Sequence, residues 1–248
     1  MFVFSALALL ALVVGPPNTR QPTLQVPAVK APELPPSLVQ MTSAIPFFVI
    51  ANEKGELYLL RFKGNPRPTL AVHSTPEEAE KLRAQVSIRD AKMGARLAIR
   101  MVSMAEVLRW NLDPRFPYTI AVVAPPEDIA AGSKSKLPGQ ADPIFPVFLI
   151  RNVKENDLLT LQTKDGNFVP ALFSYRDASG MLSELRKGMG KSGNTVQIQA
   201  VDLARFLETV RSEAGPRAQT YKIAAPQSAL EFAKKLSDVA PPKDPRKR

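Results

Sequence analysis

His73 stands directly before Ser74, and a base beside a hydroxyl is what a hydrolase uses to activate a nucleophile. The surroundings argue against that chemistry. No Gly-x-Ser-x-Gly turn is present to hold a serine at a strained strand-to-helix elbow, and Leu70, Ala71 and Val72 lead into the pair as an apolar strand. His73 therefore reads as a packed residue at a strand end. Gly188-Met189-Gly190-Lys191-Ser192-Gly193 has the residue types of a phosphate loop. It follows a helical stretch where such a loop must follow a strand, and its first glycine stands too close to the Gly-Lys-Ser, so it reads as a loop. Glu77, Glu78 and Glu80 fall on the first turns of a helix and lack the loop spacing of a metal site. The absence of cysteine excludes disulfides, thiolate-bound zinc, iron–sulfur clusters and a cysteine nucleophile, and a single histidine excludes multi-histidine metal sites. The sequence thus assigns no catalytic residue, no metal and no cofactor, and reads as a non-enzyme.

Binding chemistry remains. Lys and Arg number 33 against 23 Asp and Glu, and the net charge of +10 favours an acidic partner or an anionic surface. Nucleic acid is not the expected one, because the aromatic content is only 7% and Lys134, Lys136, Arg186, Lys187 and Lys191 make no compact patch. The richest local cluster is Trp110, Phe116 and Tyr118 with Arg109 and Arg115 interspersed, an apolar surface rimmed by cations that suits a polypeptide segment. The same aromatics also suit a packed core. A counterpart at 211–221 keeps Arg211, Arg217 and Tyr221 without a tryptophan.

The elements that must position these residues come in two similar sets. At an offset of one hundred, Ile45-Pro46-Phe47-Phe48-Val49-Ile50-Ala51-Asn52 lies over Phe145-Pro146-Val147-Phe148-Leu149-Ile150-Arg151-Asn152. The same offset lays residues 70–74 over 170–174, placing His73 over Phe173. One residue less relates 97–102 to 196–201, and one more relates 119–125 to 220–226. We read this as an internal duplication. Each half predicts a strand (46–51; 146–151), a second strand paired with it (57–62; 158–163) and a third (69–73; 168–173). A helix led by Ser or Thr follows, then a fourth strand (97–102; 196–201), a short helix (103–110; 202–211) and a last strand (119–124; 220–225). The first strand is apolar on both faces and should be central. The expected fold is α/β or α+β, two pseudo-symmetric lobes, each a small mixed sheet with helices, with lobe one at 44–132, a linker at 133–143 and lobe two at 144–238.

The ends read differently. Residues 2–14 form an apolar run of signal-peptide length, too short to span a bilayer, so residues 1–15 are expected to be a signal peptide or short anchor. Prolines at 16, 17, 22, 27, 32, 35 and 36 predict an extended linker at 16–43. Residues 239–248 are a basic tail.

The Pro-Val-Phe-Leu-Ile strand at 146–150, the Val-Pro-Ala-Leu-Phe-Ser block at 169–174, Arg176-Asp177-Ala178 behind it and the helix carrying Leu182 and Leu185 resemble the twenty-two-kilodalton Tic family. Its members belong to the translocon at the inner envelope of chloroplasts and have cyanobacterial relatives. The resemblance spans residues 45 to about 237. It implies an exported protein of the periplasm or intermembrane space, peripheral to a membrane at most. Two related lobes with apolar grooves would assist the transport of precursor proteins or outer-membrane biogenesis in a chaperone-like way. Its partners would be unfolded or precursor polypeptides and translocon or outer-membrane assembly components, with no nucleic acid. The alternative is an envelope structural or adaptor protein held at an anionic membrane surface.

Overall fold

The computed structural model describes residues 33–164, 166–212 and 221–238. The expected leader, most of the proline-rich stretch, the basic tail and Arg217 lie outside them. The described chain opens with α1 (Pro36–Thr42). The first half then runs β1 (Pro46–Asn52), β2 (Leu59–Leu60), β3 (Thr69–His73), α2 (Pro76–Arg89), α3 (Ala91–Gly94), β4 (Leu97–Ser103), α4 (Met104–Leu112), β5 (Thr119–Val123) and α5 (Pro126–Ser135). The second runs β6 (Pro146–Asn152), β7 (Asp157–Leu158), β8 (Leu161–Thr163), β9 (Gly166–Leu172) and α6 (Tyr175–Met189). It continues through a 3-10 helix (Gly190–Thr195) to β10 (Val196–Asp202), α7 (Leu203–Ser212), β11 (Tyr221–Ala224) and α8 (Gln227–Asp238).

The two sheets share one plan. β1 lies between β3 and β4, and β6 between β9 and β10, antiparallel to both neighbours; β5 joins β3, and β11 joins β9, in parallel. The long ladders match residue for residue, Pro46 opposite Ser103 and Pro146 opposite Asp202, so Phe48 and Phe148, like Ile99 and Ile198, hold equivalent places.

One expected correspondence is displaced by a residue. Phe48 lies opposite His73, whereas Phe148 lies opposite Leu172, so His73 shares its place with Leu172 and Ser74 with Phe173. The helix caps agree: Thr75 accepts from the N–H of Glu78, and Ser174 from that of Asp177. Thr75, not Ser74, caps α2. All five residues of β3 are buried, so its hydrophobicity has no alternation from which to read a register.

Alternation along β1 and β6 divides the molecule into layers. Phe47 and Val49 join Val147 and Leu149 in one central core between the sheets, closed by α4 and α7. Phe47 lies 6.0 Å from the rings of both Phe145 and Phe173, which meet edge-on at 5.2 Å. Phe48 and Ile50 face outward to α2, and Phe148 and Ile150 to α6.

The remaining outer helices are exchanged. α5, from the first half, packs on β6 and β10 of the second sheet, while α8, from the second half, packs on β1 and α2 of the first. Gly132 permits the close approach of α5, since a Cβ there would stand 2.8 Å from the Pro146 side chain. Neither half covers its own sheet unaided.

α1 corrects the reading of 16–43 as extended linker throughout. Proline at the first helical position leaves the helix intact, and no further proline occurs until 46, so one seven-residue helix forms. Leu34 and Leu38 are buried in the central core, where α1 packs on α4 and β11.

Candidate functional site

α4 starts at Ser103, whose Oγ accepts from the N–H of Glu106 at 3.1 Å. Met104, Val107, Leu108 and Asn111 recur at helical spacing and form one wall of an apolar crevice. Ile120 and Val122 of β5 form the facing wall, Phe47 and Leu203 complete the lining, and the crevice is shallow, its free space of ≈ 20 Å³ being about that of one water molecule. Sequence reasoning missed these residues, although the spacing of 104, 107, 108 and 111 was the signal.

The cluster expected at 109–118 assembles beside this wall. Trp110, on the last turn of α4, stacks on Phe116 with ring centroids 5.5 Å apart and planes 3° from parallel, and Phe116 meets Tyr118 edge-on at 5.2 Å. All three rings are half-buried, and Trp110 and Phe116 also pack against the central core. They are both core margin and surface. Asp113 holds the connecting turn, its carboxylate accepting from the backbone N–H, Nε and Nη2 of Arg115 at 2.8–2.9 Å. That guanidinium keeps Asp113 below the ordinary carboxylate range. Arg115 is thus committed to its neighbour, leaving Arg109 as the exposed cation on α4 that makes no ion pair among the described residues. In the second half Phe206 and Tyr221 meet edge-on at 5.5 Å, and Thr209 holds the place of Trp110, so the two halves present different surfaces.

His73 and Ser74 make no nucleophile–base pair. Both are buried, and among the described residues neither imidazole nitrogen nor the serine Oγ has a hydrogen-bond partner. Burial pushes the imidazole down to about 4, so it is neutral near pH 7.

Carboxylates instead link helix N-termini, and two of them, Asp128 and Glu77, do so across the halves. Asp128 of α5 accepts from the N–H of Tyr175 at the start of α6, 2.8 Å, and Asp177 of α6 accepts from the N–H of Gln227 at the start of α8, 3.2 Å. Ser228 of α8 donates to Glu77 of α2 at 3.4 Å. Each carboxylate thus sits at helix N-termini, where the dipole favours negative charge. Burial, with Glu127 and Asp177 nearby, outweighs the Tyr175 bond and raises Asp128 to about 6. Among the described residues no three acidic, histidine or cysteine side chains are placed to hold a metal ion.

The model of the Tic22-like family matches residues 18–216, four-fifths of the chain. The chain belongs to that family. Two solved Tic22 structures have the same fold. Anabaena Tic22, described as a protein-transport protein, is 14% identical with a TM-score of 0.65, covering 84% of this chain and 98% of its own. Tic22 from Plasmodium falciparum is also 14% identical, with a TM-score of 0.64, covering 80% and 96%. No curated protein matches by sequence. Among the described residues of this Tic22-like chain, no helix is long and apolar enough to cross a membrane.

Proposed function

We propose that this chain is an exported, non-enzymatic, chaperone-like protein that holds extended, partly apolar stretches of precursor polypeptides as they pass between envelope membranes or toward the outer membrane. The observation that carries the reading is the Tic22-like match over residues 18–216, joined to a shared fold with an Anabaena protein of protein transport. The site supplies a physical means: an apolar crevice beside the Trp110–Phe116–Tyr118 stack, with Arg109 exposed next to it. Apolar side chains of a client would lie across the mouth of the crevice and against the half-buried aromatic rings beside it. Its place is the periplasm or intermembrane space, and its partners are precursor polypeptides together with translocon or outer-membrane assembly components.

The test mixes the purified protein with an unfolded outer-membrane protein and follows light scattering. The native chain should suppress aggregation, and Trp110→Ser with Phe116→Ser should weaken suppression while circular dichroism stays native. A folded double variant of full activity places the holding surface elsewhere. The net charge of +10 favours a second reading, an adaptor held at an anionic membrane. Flotation with anionic vesicles, without any effect on client aggregation, would support that one instead.

A further inference from the structure

β4 and β10 end their sheets in the same way, yet among the described residues only one of these edges is taken. Just past α5, Lys136 forms a parallel bridge with Ala200, and Ala200 is fully buried. In the matching ladder the place of Ala200 belongs to Met101, which is 47% exposed. No described segment pairs with the outer edge of β4. The fold therefore shows an edge of this construction engaged by one extended residue, Lys136, and its counterpart open among the described residues. An unpaired edge is a template for another strand.

We propose that the edge of β4 docks an extended polypeptide of alternating apolar and acidic residues, which joins the first sheet by strand addition. The charge chooses the occupant. Arg96 and Arg100 are exposed at this edge, neither makes an ion pair among the described residues, and Leu97–Ser103 contains no carboxylate. A second copy would therefore set Arg96 and Arg100, with no acid in the strand, against their like. Residues 239–248 carry Lys243, Arg246, Lys247 and Arg248 against Asp244 alone, with prolines at 241, 242 and 245, so their charge and backbone are both wrong for this edge. A segment of another protein fits. Because neighbouring side chains of a strand point to opposite faces, its apolar residues would lie beside Ile99 and Met101 on the helix side and its carboxylates beside Arg100. The proposal names the kind of segment held and so rests on the reading of a polypeptide-holding protein, at a surface separate from the crevice.

The probe is a fluorescein-labelled heptapeptide of alternating valine and glutamate, titrated into the full chain by anisotropy, with amide hydrogen exchange as the map. Saturable binding with new protection at 97–103 is expected. Arg96→Glu with Arg100→Glu should weaken it at least tenfold and transfer preference to the valine–lysine peptide. N-methylation of one alternate set of peptide amides should abolish binding and methylation of the other set should not; this control leaves the protein unaltered. The proposal is overturned if both methylated peptides bind equally, if charge reversal has no effect, or if protection falls on 104–122. It is overturned too if light scattering shows a dimer whose β4 amides are protected without peptide, which would give the edge to a second copy. Aggregation suppression that persists without peptide protection at β4 sinks the edge alone, whereas β4 binding without any suppression sinks the holding role alone.

Discussion

Phe232, on the last helix of the described chain, meets Phe48 of the first strand edge-on, ring centroids 5.5 Å apart and planes at 84°. The contact spans nearly the whole described sequence and is where the exchanged α8 closes the outer face of the first sheet. Phe232→Ala should therefore destabilise the first half as much as the second. Phe232 is half-buried, so the expected cost is about 2 kcal/mol, below that of a fully buried phenylalanine. Hydrogen exchange should show β1 and α2 loosening together; loosening confined to α8 would contradict the shared core.

The adjacent residues Ser74 and Thr75 should respond oppositely. Thr75→Ala removes the cap of α2 and Ser174→Ala that of α6, each costing about 1 kcal/mol in urea denaturation. Ser74→Ala removes a buried hydroxyl that has no partner among the described residues, and should be neutral or stabilise by up to about 1 kcal/mol. A loss at Ser74 equal to that at Thr75 would mean that the hydroxyl is bonded.

Acid should reveal two opposed titrations. The folded His73 titrates at about 4, below its unfolded value, so on acidification the unfolded chain binds the proton first and stability falls between pH 6.5 and 4. The folded Asp128 titrates at about 6, above its unfolded value, so its contribution is full below pH 3.8 and lost as pH rises through 6. Each amounts to about 3 kcal/mol and they nearly cancel in the native chain. Asp128→Asn, which keeps an acceptor for Tyr175, should expose the histidine slope in melts from pH 7 to 4.5. Melts of that variant as flat as those of the native chain would refute the assignment.

Val122→Phe should cover the mouth of the crevice between α4 and β5, since Val122 is half-buried on its wall. The expected result is a native melting temperature within a few degrees and weakened client holding. Unchanged holding would remove the crevice from the site.

A chain starting at Ile45 should melt several degrees below one starting at Glu33. Removing α1 uncovers the pocket filled by Leu34 and Leu38, each worth about 2 kcal/mol of buried apolar surface. Equal melting would show that α1 packs without contributing.

By itself, the sequence determined what is local. Doubly apolar stretches at 46–51 and 146–151 could be nothing but central strands, capping hydroxyls before 76 and 175 set the helix starts, and the lack of cysteine with one histidine removed most catalytic and metal chemistry. The aromatics at 110, 116 and 118 were legible as a cluster from their proximity in sequence, though not as a stack. Tertiary structure decided the rest, for two physical reasons. The hydrophobic effect has no direction: the apolar stripe of α8 specifies that it must be buried, not that it crosses to Phe48 while α5 crosses the other way. A strand covered on both faces has no polar side to mark its register, so the one-residue shift that puts His73 in the place of Leu172 became visible only through the pairing of β3 with β1.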